Sequence, residues 1–141
     1  MATRSTITLV TPANNIESIY CHWDGYLGRV SGVGLGLLDH INTPDKVKAL
    51  IKEGNRSSLD SEPYYKEEGW GGNRPASFIE PQEYNYVYDM AKEQWSVFSM
   101  HLDGADTYET RVPLTRDFIG AKTKILFDKA VSELKKCPLP Q

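Results

Sequence analysis

Thr6-Ile7-Thr8-Leu9-Val10, then Thr11-Pro12-Ala13-Asn14-Asn15, then Ile16-Glu17-Ser18-Ile19-Tyr20-Cys21-His22-Trp23 is the stretch that decides the fold. Its first run alternates polar and apolar side chains and is rich in β-branched residues, as in a strand with one buried face. The Pro-Asn middle is turn chemistry. The third run is again β-like, so the pair predicts an antiparallel hairpin with a sheet at the centre of the fold. Asp24-Gly25 breaks the second strand.

Outward from this hairpin, a Gly-rich passage through Gly28, Gly32, Gly34 and Gly36 leads into Leu35, Leu37, Leu38 and Ile41, which predict a short helix. Asn42 or Thr43 can cap the next helix, and Pro44 suits its first turn, where a missing N–H costs nothing. Val47, Leu50 and Ile51 recur at i, i+3 and i+4, the spacing of one buried stripe, and Gly54 ends the element. Residues 55–82 hold three prolines and three glycines without sustained periodicity and are expected to be a long loop, its aromatics Tyr64, Tyr65, Trp70 and Phe78 making it, with the tyrosine strand, an expected contact surface. Tyr84, Tyr86 and Tyr88 alternate with Asn85 and Val87, which predicts a strand with three rings on one face. Trp95 to His101 reads as its hairpin partner, and Thr107 to Val112 as a short extended addition. Toward the C-terminus, Ile119, Leu126, Phe127, Ala130, Val131, Leu134 and Cys137 share one side of a helix that Pro138 stops. The expected fold is α+β over residues 1–141 as one domain. Two hairpins would form an antiparallel sheet, with two short helices and the amphipathic C-terminal helix on one face.

Charge restricts the function classes. The formal net charge is −3, yet residues 111–136 set seven basic residues against Asp117, Asp128 and Glu133, so the rest of the chain is more acidic than the total implies. Such a body argues against non-specific nucleic-acid binding, which needs a clustered positive field. Cys21 and Cys137 form no CxxC and no disulfide framework, as expected of reduced thiols. No apolar run approaches the length of a membrane span, and the first residues lack a signal-peptide core. The expectation is a cytoplasmic protein with no membrane partner.

Three groups of residues can carry chemistry. His22-Trp23-Asp24-Gly25 is echoed by His101-Leu102-Asp103-Gly104. Imidazoles and carboxylates from both would suit a divalent metal and a metal-bound water if the two strand ends converged; otherwise each Asp-Gly is simply a turn. Cys21 beside His22 is no thiolate–imidazole pair, because adjacent strand residues point to opposite faces. Gly32-Val33-Gly34-Leu35-Gly36 precedes a helix, the context in which glycines let backbone N–H groups cradle a phosphate. Its G-x-G-x-G spacing is not a dinucleotide fingerprint, and close helix–sheet packing explains it equally. The tyrosine strand could stack bases, but Glu83, Asp89 and Glu93 flank it, which favours core or protein-contact aromatics.

Met1-Ala2-Thr3-Arg4-Ser5-Thr6-Ile7, the segment Ile19-Tyr20-Cys21-His22-Trp23-Asp24-Gly25-Tyr26, and Lys46-Val47 through Leu50-Ile51 to Gly54 with Ser57-Ser58-Leu59 resemble a family of small uncharacterised proteins of tailed-bacteriophage and prophage genomes. The resemblance covers about the first 60 residues and brings no catalytic residues and no cofactor. It implies a setting in the host cytoplasm, where small accessory phage proteins block defence systems. The expected function is therefore a binding protein that inhibits a host defence or nucleic-acid-processing protein, as an anti-CRISPR does. One alternative is a homo-oligomeric sponge for a nucleotide messenger. The other is a small metal-dependent hydrolase using His22, Asp24, His101 and Asp103. The residues expected to contact a host protein or nucleotide are His22, Trp23, Asp24, Tyr26, Gly32, Gly34, Trp70, Arg74, Tyr84 and Tyr86.

Overall fold

The computed structural model describes residues 3–28, 32–59 and 75–136; within the last helix, side chains are described to Lys124 and again at Val131 and Ser132. Among the described residues, five strands form one sheet: β1 (Ser5–Val10), β2 (Ile16–Cys21), β3 (Tyr84–Asp89), β4 (Gln94–Ser99) and β5 (Val112–Pro113). Three helices accompany it among the same residues: α1 (Val33–His40), α2 (Pro44–Glu53) and α3 (Arg116–Lys136). The sheet order is β2-β1-β3-β4-β5.

The sheet is mixed, which corrects the expectation of a purely antiparallel one. β1 pairs antiparallel with β2 and β3 with β4, but β1 and β3 run parallel, with Ser5 opposite Tyr84 and Val10 opposite Asp89. The cause is the chain path. β2 ends beside the start of β1, and β3 must begin at that same end of the sheet. The outer edge of β2 is already taken: Ala76 exchanges both backbone hydrogen bonds with Ser18, and residues 55–57 bond along Tyr20 to Trp23. β3 therefore adds to the free edge of β1. The connection that makes this parallel pairing carries α1 and α2, as parallel crossovers commonly do.

The starts of α2 and α3 have local causes. Thr43 Oγ1 accepts the Lys46 N–H, and Pro44 occupies the first turn of α2. Gly54 follows α2 at φ 84°, a conformation that costs glycine little. Thr115 Oγ1 accepts the Phe118 N–H at the start of α3. Residues 107–110, expected to be extended, instead close a turn in which the Thr110 N–H donates to the Thr107 carbonyl. Ile119 of α3 is buried in the core, whereas Leu126, Phe127, Ala130, Leu134 and Cys137 lie outside the described side chains.

The two faces of the sheet differ in chemistry. One presents Ile7, Leu9, Ile19, Cys21, Tyr84, Tyr86, Tyr88, Trp95 and Val97 to a core completed by Leu37, Val47, Ile51 and Ile119. The second presents Thr6, Thr8, Ser18 and Asn85 at its centre, with a smaller apolar cluster of Val10, Val87 and Phe98 packed by Ile16, Ile79 and Tyr108. That second face carries the cleft described below.

Candidate functional site

The hairpin-end residues occupy an edge of the sheet. Tyr20 Oη lies 2.7 Å from His22 Nδ1, and the His22 ring stands edge-on to Trp23 at 4.8 Å between centroids. Trp23 is 44% exposed and Asp24 is exposed, with Asp24 in the left-handed region at φ 59°. His101 belongs elsewhere. It stacks at an angle on Tyr84, and its Nε2 lies 3.5 Å from Glu83 Oε2. The ends of β2 and β4 reach the same end of the sheet, but β1 and β3 stand between them. Three strand spacings, roughly 14 Å, separate the two turns. The four residues of the metal alternative are thus apart, and among the described residues no group of three or more His, Cys, Asp or Glu is placed to hold one. The H-x-D-G echo also spells two different turns. Gly25 is pressed against Thr3 and Ser5, where a Cβ would meet the Thr3 carbonyl at 2.8 Å, whereas Gly104 faces open space at φ 77°.

Cys21 is buried against the carbonyls of Trp23 and Ser57, and burial pushes its thiol from 9.0 up to about 11. A thiol held neutral in this way is a poor nucleophile.

The glycines at 32–36 serve packing, which corrects the phosphate-cradle expectation. The N–H groups that would greet an anion at the start of α1 already donate to carbonyls of the preceding turn: Val33 to Asp24, Gly34 to Tyr26 and Leu35 to Leu27. A Cβ on Gly34 would lie 2.5 Å from the Leu27 carbonyl oxygen, and one on Gly32 would lie 2.9 Å from the Tyr26 ring. Tyr26 is correspondingly half-buried between this turn and α1.

Tyr84 and Tyr86 are core residues, which corrects their assignment to a contact surface. Tyr86 is fully buried and donates from Oη to the Gly25 carbonyl at 2.6 Å, fastening the 24–28 turn to the sheet. Burial raises the phenol of Tyr86 well above its ordinary value, and burial followed by the Glu83 charge raises that of Tyr84. Trp70 and Arg74 lie outside the described residues.

The second face carries a cleft of about 770 Å³. That volume is within the range of ligand-binding clefts. Its floor is Ile16, Ile79, Phe98 and Tyr108, and Tyr108 meets Phe98 edge-on at 6.2 Å. Phe78 and Met100 form its lips and are 59% and 71% exposed. Of the three large apolar side chains left exposed among the described residues, two therefore stand on this one cleft. Glu83, Asp106 and Glu109 also line it, and among the described residues no lysine or arginine does.

Asn85 holds this wall in place. Its Oδ1 accepts from Thr6 Oγ1 at 2.9 Å and from the Gln82 N–H at 2.8 Å, while Nδ2 donates to the carbonyls of Gln82 at 2.9 Å and Phe98 at 3.3 Å. All four hydrogen-bonding positions of the amide are thereby used. Asn85 thereby ties the segment 77–83 to β1 and β4, and the Ser99 hydroxyl of β4 adds a bond to the Glu83 carbonyl. Sequence reasoning missed Asn85 and Met100, and it reached Phe78 only as one aromatic of the loop 55–82. A signal existed for the first: a lone amide at the centre of an apolar tyrosine strand requires buried partners. For Met100 the signal was its i, i+2 spacing from Phe98, away from Trp95 and Val97.

No protein-family model matches the chain, and no curated protein and no solved structure does either. No helix among the described residues is long and apolar enough to cross a membrane.

Proposed function

We propose that this chain is a phage accessory protein that acts by binding, holding a host defence or nucleic-acid-processing protein in an inhibited complex in the host cytoplasm, in the manner of an anti-CRISPR. One observation carries the binding part of this reading: Phe78 and Met100 are exposed together on the lips of one apolar cleft. Exposed apolar surface gathered in one concavity and rimmed by polar groups is the usual form of a protein contact site. The N-terminal resemblance supports the phage setting. The contact surface thereby moves from the hairpin end and tyrosine strand to the second face of the sheet.

The test is affinity capture from cells infected with a phage that encodes the chain, comparing the wild type with a Phe78→Glu/Met100→Glu double variant. Both positions are exposed, so the variant should keep its unfolding midpoint. The wild type should retain one host protein in near-stoichiometric amount, and the variant should lose it. Equal capture by both, or none by the wild type, would sink the reading.

A further inference from the structure

The cleft's lining is chemically one-sided. Its floor is aromatic and aliphatic, and the charged side chains that line it among the described residues are carboxylates: Glu83, Asp106 and Glu109. The exposed His101 sets its Nε2 3.5 Å from Glu83 Oε2. Asp106 and Glu109 are exposed on the turn that the Thr107 and Thr110 hydroxyls lock together at 2.8 Å. Asp106 and Glu109 are therefore placed at the cleft's rim by this hydroxyl-bonded turn.

We propose that the cleft takes a protein segment in which a bulky apolar side chain is flanked by lysine or arginine, presented by a basic surface of the partner. The inference rests on the reading of the cleft as the binding surface. A wholly apolar occupant would draw the cleft's carboxylates toward low dielectric while bringing no basic group to meet them, which is costly. An acidic peptide, a nucleic acid or an anionic lipid surface would meet like charge. A basic flank answers both. The apolar anchor supplies the affinity in the desolvated floor, and the exposed rim pairs supply orientation, association rate and salt sensitivity. Arg111 lies 3.9 Å over the Tyr108 ring and donates to the Tyr108 carbonyl, so it braces the back of that ring.

The test uses the intact chain and a ribosome-displayed library of short random peptides. Selected peptides should be enriched in an aromatic or large aliphatic residue with adjacent Lys or Arg. Met100→Glu should weaken them roughly tenfold or more. Raising salt from about 0.05 to 0.3 M should weaken them roughly fivefold. The double reversal Asp106→Lys/Glu109→Lys should abolish that salt dependence and favour acidic flanks instead. Peptides that need Met100 yet carry neutral or acidic flanks would overturn the basic-partner inference while leaving the cleft as a binding surface. Peptides that bind the Phe78→Glu/Met100→Glu variant as well as the wild type, or a library that yields no binder, would overturn both.

Discussion

Replacing Asn85 with alanine removes four hydrogen bonds at once, and its cost can be worked from their surroundings. Asn85 is 1% exposed, and its amide serves the Thr6 hydroxyl, the Gln82 N–H, and the carbonyls of Gln82 and Phe98. Gln82 is half-exposed, so water can rebond its backbone groups. Thr6 and Phe98 are buried at 4% and 3%, so their groups are left without solvent. A buried polar group stripped of its partner costs about 1–3 kcal/mol. Two such groups, plus the small net loss at Gln82, come to about 3 kcal/mol. That is a large part of the 5–15 kcal/mol typical of a domain, but not all of it. Urea unfolding followed by tryptophan fluorescence should therefore show a lowered midpoint with an unchanged slope. The melting temperature should fall by roughly 10 °C. The same variant should loosen the cleft wall, seen as faster amide exchange at 77–83. A loss below about 1 kcal/mol, or unchanged exchange at 77–83, would refute the role of Asn85 as the fastening of that segment.

Two glycines should answer alanine with opposite signs. Gly34→Ala puts a Cβ 2.5 Å from the Leu27 carbonyl oxygen and 3.0 Å from its Cα, both backbone, so α1 must lift from the turn at a cost of about 2 kcal/mol or more. Gly120→Ala, in α3 with nothing within 4 Å of the new Cβ, should stabilise by about 0.5–1 kcal/mol. Equal unfolding midpoints for the two variants would contradict the packing assigned to Gly34. Alkaline pH should also unfold the protein progressively. Burial raises the Cys21 thiol from 9.0 to about 11, so the folded chain holds a proton that the unfolded chain releases. That contribution is fully present below pH 9 and is lost by about 2–3 kcal/mol as pH rises through 11. Tyr84 and Tyr86, raised from 10.0, steepen the fall above pH 10. Urea midpoints measured between pH 8 and 10.5 check it, and a flat profile would contradict the burial of these groups.

Local elements were more legible than the contacts between them. Thr43, Pro44 and Gly54 mark α2 because each acts on backbone groups within a few residues. The alternation of Tyr84, Tyr86 and Tyr88 marks β3, since strand geometry fixes a period of two. The parallel pairing of β1 with β3 was not legible, because residues 5–10 carry no local trace of a neighbour that follows by some 80 residues. It depended on residues 55–57 and Ala76 occupying the edge of β2. The glycines at 32–36 were ambiguous for a different reason. Close packing and anion binding both require glycine, and only the direction of three N–H groups separates them. The cleft was hidden because its two walls, residues 77–83 and 98–109, meet only once β3 and β4 pair. Asn85 was the local trace it left.

Hydrogen exchange measured by mass spectrometry, on the chain alone and in complex with the host protein it captures, tests the central claim most directly. Binding at the cleft should slow exchange at residues 76–83 and 98–109, the segments that carry Phe78, Met100, Asp106 and Glu109. The hairpin end at 22–26 should exchange as in the free chain. Protection confined to 22–26, with the cleft segments unchanged, would contradict the account and return the contact to His22, Trp23 and Asp24.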